Sequence, residues 1–165
     1  MAVLREGEAL VALKEDYLDS VSLIERLHRQ FLEIVKLELE RIGSRDINNV
    51  QALILYHIGD DRLTVGELTQ RGYYLGTNVT YNLKKLIENK YVSQSPSPHD
   101  RRAVHIKLTA SGLKLRKALD EVFTRHVEAL ARANLKPKDF ANLEQLLRRL
   151  EQFWIAGIGR GGYGT

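Results

Sequence analysis

Cysteine is absent from this chain of 165 residues, which excludes disulfides, thiolate zinc sites, nucleophilic thiols and thiol-based redox sensing. Long apolar runs are missing too, and no stretch approaches the roughly 20 residues needed to cross a bilayer as a helix. The N-terminal MAVLREGEALVALKEDYL mixes acids and bases among its apolar residues, unlike a secretory signal, so a cytoplasmic location is expected. Marks of catalysis are also lacking. There is no GxSxG elbow, and GIGRGG near the C-terminus has neither the preceding strand nor the following helix of a phosphate-cradling loop. The five histidines, His28, His57, His99, His105 and His126, show no HExxH or other paired metal spacing. HIGDD at His57 to Asp61 gathers ligand types, but a helix end followed by a polar turn accounts for it. No enzyme, metal or cofactor is therefore expected.

What is present is the composition of a globular chain, 44% hydrophobic and 28% charged, with a formal net charge of +4. The excess is local. Residues Thr64 to Thr109 hold seven Lys or Arg against three acids, an excess of four, whereas the remainder is balanced. Positive charge gathered in one segment suits a surface that meets phosphates, because each neutralised phosphate releases condensed counterions.

Periodicity orders the elements. From about Ala9 to Arg41, apolar residues including Leu10, Leu13, Tyr17, Ile24, Leu27, Phe31 and Ile34 recur at helical spacing without proline. Such a helix is about 45 to 50 Å long, too long for a domain of this size to cover, so part of its stripe is expected to meet a second chain. Gly43-Ser44 breaks it, and Asp46 or Asn48 can cap a helix running to about Ile58. Thr64 with Glu67 three residues on has capping-box spacing for a short helix ending near Gly72, and a second begins around Thr77. Two short helices joined by a glycine-containing corner are the sequence form of a helix-turn-helix. The period then changes to two: Val92 opens a strand, Pro96 and Pro98 mark a turn, and Val104, Ile106 and Leu108 alternate with His105 and Lys107, a hairpin wing. Ser111-Gly112 and Pro137 open two further helices, and the glycine-rich end reads as a flexible tail. The fold expected is mainly α with a small β-hairpin wing. It divides into an N-terminal dimerisation helix (1–46), a winged helix-turn-helix (47–112), C-terminal dimerisation helices (113–155) and a tail (156–165).

The motif HDRRAVHIKLTASG, set between the helix pair and the last helices, resembles the wing of the MarR family of dimeric winged-helix transcriptional regulators. Asp100, Arg101, Arg102, Ala103, Leu108, Thr109 and Gly112 occupy the family's places. The resemblance runs from the first helix to Trp154, and KEDYLDSVSLIERLHRQF and RGYYLGTNVTYNLKKL are similar to the LdtR subgroup, whose name points to cell-envelope genes. The family's recognition helix usually carries Val-Thr-Arg, whereas this one has Val79-Thr80-Tyr81-Asn82; the family's glycine before the first wing strand is here Lys90.

DNA recognition then follows from chemistry. A major groove admits a helix, and the hydroxyls and amide of Thr77, Asn78, Thr80 and Tyr81 suit base edges and phosphates. Lys84 and Lys85, point charges on flexible stems, suit phosphates. Arg101 and Arg102 at the hairpin tip can serve a narrow minor groove and the backbone, with either arginine able to insert. A carboxylate can orient a guanidinium through paired hydrogen bonds, and by the family pattern Asp100 would so hold Arg102. The partners expected are a pseudo-palindromic operator in double-stranded DNA, a second copy of the chain, and a small aromatic ligand that the resemblance places between dimer and reader, with Tyr17, His28, Arg29 and Tyr56 as candidates. The rival reading is a helical, dimeric protein-interaction module that keeps the winged-helix scaffold without specific DNA binding.

Overall fold

The computed structural model describes residues 2–72, 76–96, 104–159 and 161, with side chains of 2–6, 71, 72, 76 and 77 left aside. In chain order the elements are α1 (Ala2–Arg41), α2 (Asn49–Ile58), β1 (Leu63–Thr64), α3 (Val65–Gly72), α4 (Gly76–Glu88), β2 (Val92–Pro96), β3 (Val104–Leu108), α5 (Ala110–Arg132) and α6 (Pro137–Gly159). The chain forms two units, Met1–Leu119 and Asp120–Thr165.

In the first unit α1 packs on α2 through its last turns. Val35 and Leu39 are buried, and the Asn49 side-chain amide donates to the Leu32 carbonyl at 2.8 Å. Further back, Leu10, Leu13, Leu27, Phe31 and Ile34 stay exposed in the single chain. Helix α1 begins at Ala2, earlier than the apolar stripe suggested, since Gly7 within it is tolerated at a cost of about 1 kcal/mol. It ends at Gly43, with φ 78 and a bond from the Ser44 N–H to the Leu39 carbonyl at 2.9 Å, a left-handed stop that suits glycine. Asn48, the second of the two expected caps, starts α2: its side chain accepts from the Gln51 N–H at 2.9 Å, and Gln51 returns the bond at 3.0 Å. The core is made by Ile54, Leu55 and Ile58 of α2 with Leu68, Leu86 and Ile106, all fully buried.

The sheet has three strands in the order β1-β3-β2, both pairings antiparallel. Val92 pairs with Leu108 and Pro96 with Val104, the expected hairpin. The short strand β1, pairing Leu63 with Ile106 and Thr64 with His105, was not foreseen, because two residues are too few to display a period.

Lys90, in the family's glycine place, has φ 62. The helix end is therefore a left-handed corner, closed by bonds from the Lys90 N–H to the Ile87 carbonyl (3.0 Å) and from the Tyr91 N–H to the Leu86 carbonyl (2.9 Å). A Cβ in this region costs about 1–2 kcal/mol. Glycine returns about 0.4–1 kcal/mol of that to the unfolded chain. Lys90→Gly should thus raise stability by about 0.5 kcal/mol or slightly more, read by urea denaturation.

The second unit holds the rest of α5 and α6. Asn134, at φ 62, ends α5, with the Leu135 N–H donating to the Leu130 carbonyl at 3.1 Å. Phe140, Leu143, Leu146 and Phe153 of α6 are exposed. The helix continues to Gly159, four residues into the segment expected to be a tail, as Ala156 and Ile158 sustain it and Gly157 is buried. Arg160 lies outside the described residues.

Candidate nucleic-acid interface

The interface begins at Thr64, whose backbone pairs with His105 while its side chain caps α3. Its N–H and hydroxyl donate to Glu67 Oε2 at 2.6 and 2.9 Å, and its oxygen accepts from the Glu67 N–H at 3.2 Å, the capping box anticipated from spacing. One residue thereby ties the sheet to the helix that supports the reader. Arg62, just before β1, donates to Ser95 Oγ at 2.8 Å and braces the wing near the outer end of its paired strands. No sequence signal distinguished Arg62 from an ordinary surface charge.

Helix α4 is two-faced. Val79, Leu83 and Leu86 are buried, as a period of 3.6 requires, and they fix the helix on the core. Asn82 is nearly buried and donates to the Asn78 carbonyl at 2.8 Å, which removes it from any reading role. Asn78, Thr80, Tyr81 and Lys84 are exposed, with Tyr81 at 61% presenting its ring and hydroxyl to the surface. Lys84 and Lys85 both lean on Glu88, at 4.0 and 2.8 Å. The hydrogen bond with Lys85 holds the Glu88 carboxyl below its ordinary range, and the same bond raises the Lys85 ammonium. Exposed pairs of this kind contribute only about 0–1 kcal/mol, so a phosphate oxygen can take either lysine from Glu88 at little cost.

The four exposed candidate residues thus share α4, with Lys85 half-exposed beside them. The side chain of Thr77 and the whole of Asp100, Arg101 and Arg102 lie outside the described residues. Between α4, the start of α3 and the wing strands lies a cavity of about 410 Å³, walled by Val65, Leu83, Ile87 and Val104, that sequence reading did not anticipate. The four ligand candidates are dispersed. Tyr17 and His28 are exposed on α1, Arg29 lies 3.7 Å from Glu25, and Tyr56 carries the Arg116 guanidinium 5.6 Å from its ring centre. None of them lines this cavity or the second described one, of about 530 Å³, between the end of α1 and the start of α2.

Residues 47–112 match the family model of a winged helix DNA-binding domain. Over 138 residues the chain is 33% identical to the exopolysaccharide II synthesis transcriptional activator ExpG of Rhizobium meliloti, covering 84% of this chain and 71% of that one. The chain belongs to the MarR family of winged-helix transcriptional regulators. An uncharacterised HTH-type transcriptional regulator of Bacillus subtilis, YsmB, is 30% identical over 122 residues, 68% of this chain and 77% of that one. A mutant MarR from E. coli complexed with operator DNA has the same fold, with a TM-score of 0.69, 23% identity and coverage of 82% and 95% of the two chains. This MarR-family protein is accordingly a DNA-binding transcriptional regulator and not an enzyme. Among its described residues no helix is long and apolar enough to cross a membrane, and no cluster of His, Asp and Glu is arranged to hold a metal.

Proposed function

We propose that two copies of the chain bind a pseudo-palindromic operator, each laying α4 in the major groove and its wing against the adjacent minor groove. The supporting observation is the division of α4, whose inner residues are immobilised in the core while Asn78, Thr80, Tyr81 and Lys84 face outward. Dimerisation through residues 1–46 and 113–155, on either side of a reader at 47–112, accounts for the exposed apolar stripes on α1 and α6. Two half-sites about one helical turn apart then double the contacts. The site of action is the cytoplasm. A small aromatic ligand at the junction of dimer and reader, near Tyr17, His28, Arg29 and Tyr56, would act only through its unequal affinity for two spacings of the α4 pair. The likeness to LdtR and to ExpG, by name an activator of exopolysaccharide synthesis, favours target genes that build the cell envelope or surface polymers.

Selection of bound fragments from genomic DNA tests the reading, and one residue sharpens it. Tyr81 stands where the family pattern usually has arginine, and it offers no fork to the O6 and N7 of guanine. Tyr81→Arg should create a guanine preference of about fivefold or more at one position of each half-site, since a bidentate pair discriminates by about 1–3 kcal/mol. Tyr81→Ala should relax preference there, while Lys84→Ala should weaken all sequences alike. Uniform weakening by both alanine variants would overturn the assignment of Tyr81 as a base reader.

A further inference from the structure

Three residues just beyond α4, Asn89 to Tyr91, fasten both stretches of chain that leave the reader. On one side is the loop joining α1 to α2: the Asn89 side-chain amide donates to the Asp46 carbonyl at 2.5 Å, and the Tyr91 hydroxyl donates to Asp46 Oδ1 at 3.0 Å. On the other side is the entry to α5. The Thr109 N–H donates to the Tyr91 carbonyl at 3.0 Å, and its hydroxyl donates to the Lys90 carbonyl at 2.7 Å. The same Thr109 oxygen accepts from the Gly112 N–H at 3.1 Å and so caps α5. The segments fastened are 45 residues upstream and 18 downstream of Tyr91.

We infer that the Asn89–Tyr91 corner is a clamp setting the angle of the recognition helix against α1 and α5, with Asp46 and Tyr91 as positioning residues for the half-site spacing. The inference rests on the dimeric operator reading above. A carboxylate repels phosphates, so Asp46 has no direct use for DNA; its value lies in what it holds. The Lys90 corner allows α4 to stop abruptly, and the next residue meets both flanking segments at once, through its ring hydroxyl and its carbonyl. Turning α4 relative to α1 breaks the charge-assisted bond to Asp46, whereas turning it relative to α5 breaks those to Thr109. With both in place, the helix is held against rotation from two directions.

The consequence is measurable in DNA. Inserting or deleting one central base pair turns the half-sites by about 34° and shifts them by about 3.4 Å, which a rigid dimer resists and a loosened one follows. The test measures, by fluorescence anisotropy, binding of the full chain to a wild-type-selected operator and to versions with one base pair added or removed. The variants are Tyr91→Phe, which loses only the hydroxyl, Asp46→Ala, which loses the acceptor, Asn89→Ala, and Asp46→Asn, which keeps an acceptor oxygen. Circular dichroism and sedimentation identify those that remain folded dimers, and three independent truncations guard against one that does not. Wild type should bind the altered spacings about tenfold more weakly, a penalty that the truncations should cut by about threefold while Asp46→Asn keeps most of it. Undiminished discrimination in the folded truncation variants overturns the clamp. A wild type that binds DNA but ignores spacing overturns the dimeric operator reading itself, and the clamp falls with it.

Discussion

Raising the salt from about 50 to about 200 mM is expected to weaken the operator complex by about three orders of magnitude. The expectation comes from where charge sits. The Thr64 to Thr109 segment carries an excess of four positive charges, in a chain otherwise balanced. Lys84 is exposed and Lys85 half-exposed on α4, both paired with Glu88, and Arg101 and Arg102 fall between β2 and β3 in the sequence. Three phosphate contacts from each protomer neutralise about six phosphates per dimer, giving a slope of about −5 in log affinity against log salt. Arg102→Ala should flatten that slope by about two units, one for each copy, which a titration of anisotropy against salt resolves. Base contacts contribute little to the slope, so Tyr81→Ala should lower affinity while leaving it nearly unchanged. An association that ignores salt would instead favour the protein-interaction module.

The second large effect concerns Gly112, the third residue of α5. A Cβ there would lie 2.2 Å from the Tyr91 carbonyl oxygen and 3.2 Å from both the Tyr91 carbonyl carbon and Leu108 Cβ. None of these atoms can easily withdraw. The Tyr91 oxygen is held by the Thr109 N–H, and Leu108 is a buried residue of β3. Gly112→Ala should therefore cost about 3 kcal/mol or more, by urea denaturation, since the backbone of the corner and the start of α5 must part. Gly66, in α3, is the control: the nearest atom to its added Cβ is Thr64 Oγ1 at 3.9 Å. Gly66→Ala should be neutral or stabilising by up to about 1 kcal/mol, because a helical glycine is entropically expensive. Equal losses at both positions would mean that the close approach at Gly112 has no special weight.

Much of the fold was legible because it is written in local patterns. The Thr64 and Glu67 capping box, the buried row of α4 and the alternation of Ile106 and Leu108 with Lys107 follow from spacing, which also narrowed the α2 cap to Asp46 or Asn48; Val104, expected on the same apolar face, is 40% exposed. The same spacing separates the exposed Tyr81 and Lys84 from the buried Val79 and Leu83. What escaped is tertiary. Strand β1 exists because β3 offers an edge to Leu63 and Thr64, and the hydroxyl of Thr64 had already suggested a helix cap; the residue serves both roles. The bond between Asp46 and Tyr91 joins residues 45 apart that carry no shared periodicity. The left-handed corner at Lys90 is not written in its side chain, because a lysine rarely accepts a positive φ, and the bonds that hold it there are made by main-chain atoms of Leu86 and Ile87.

The strand order β1-β3-β2 also bears on solubility. It leaves β2 and the two-residue β1 as the outer rims of the sheet. Exposed rims invite other chains to add strands, yet β1 is too brief to template one, and β2 ends in a proline that offers no N–H. The wing can present itself to a nucleic acid at high local concentration, therefore, with little tendency to zip onto the wing of a neighbour.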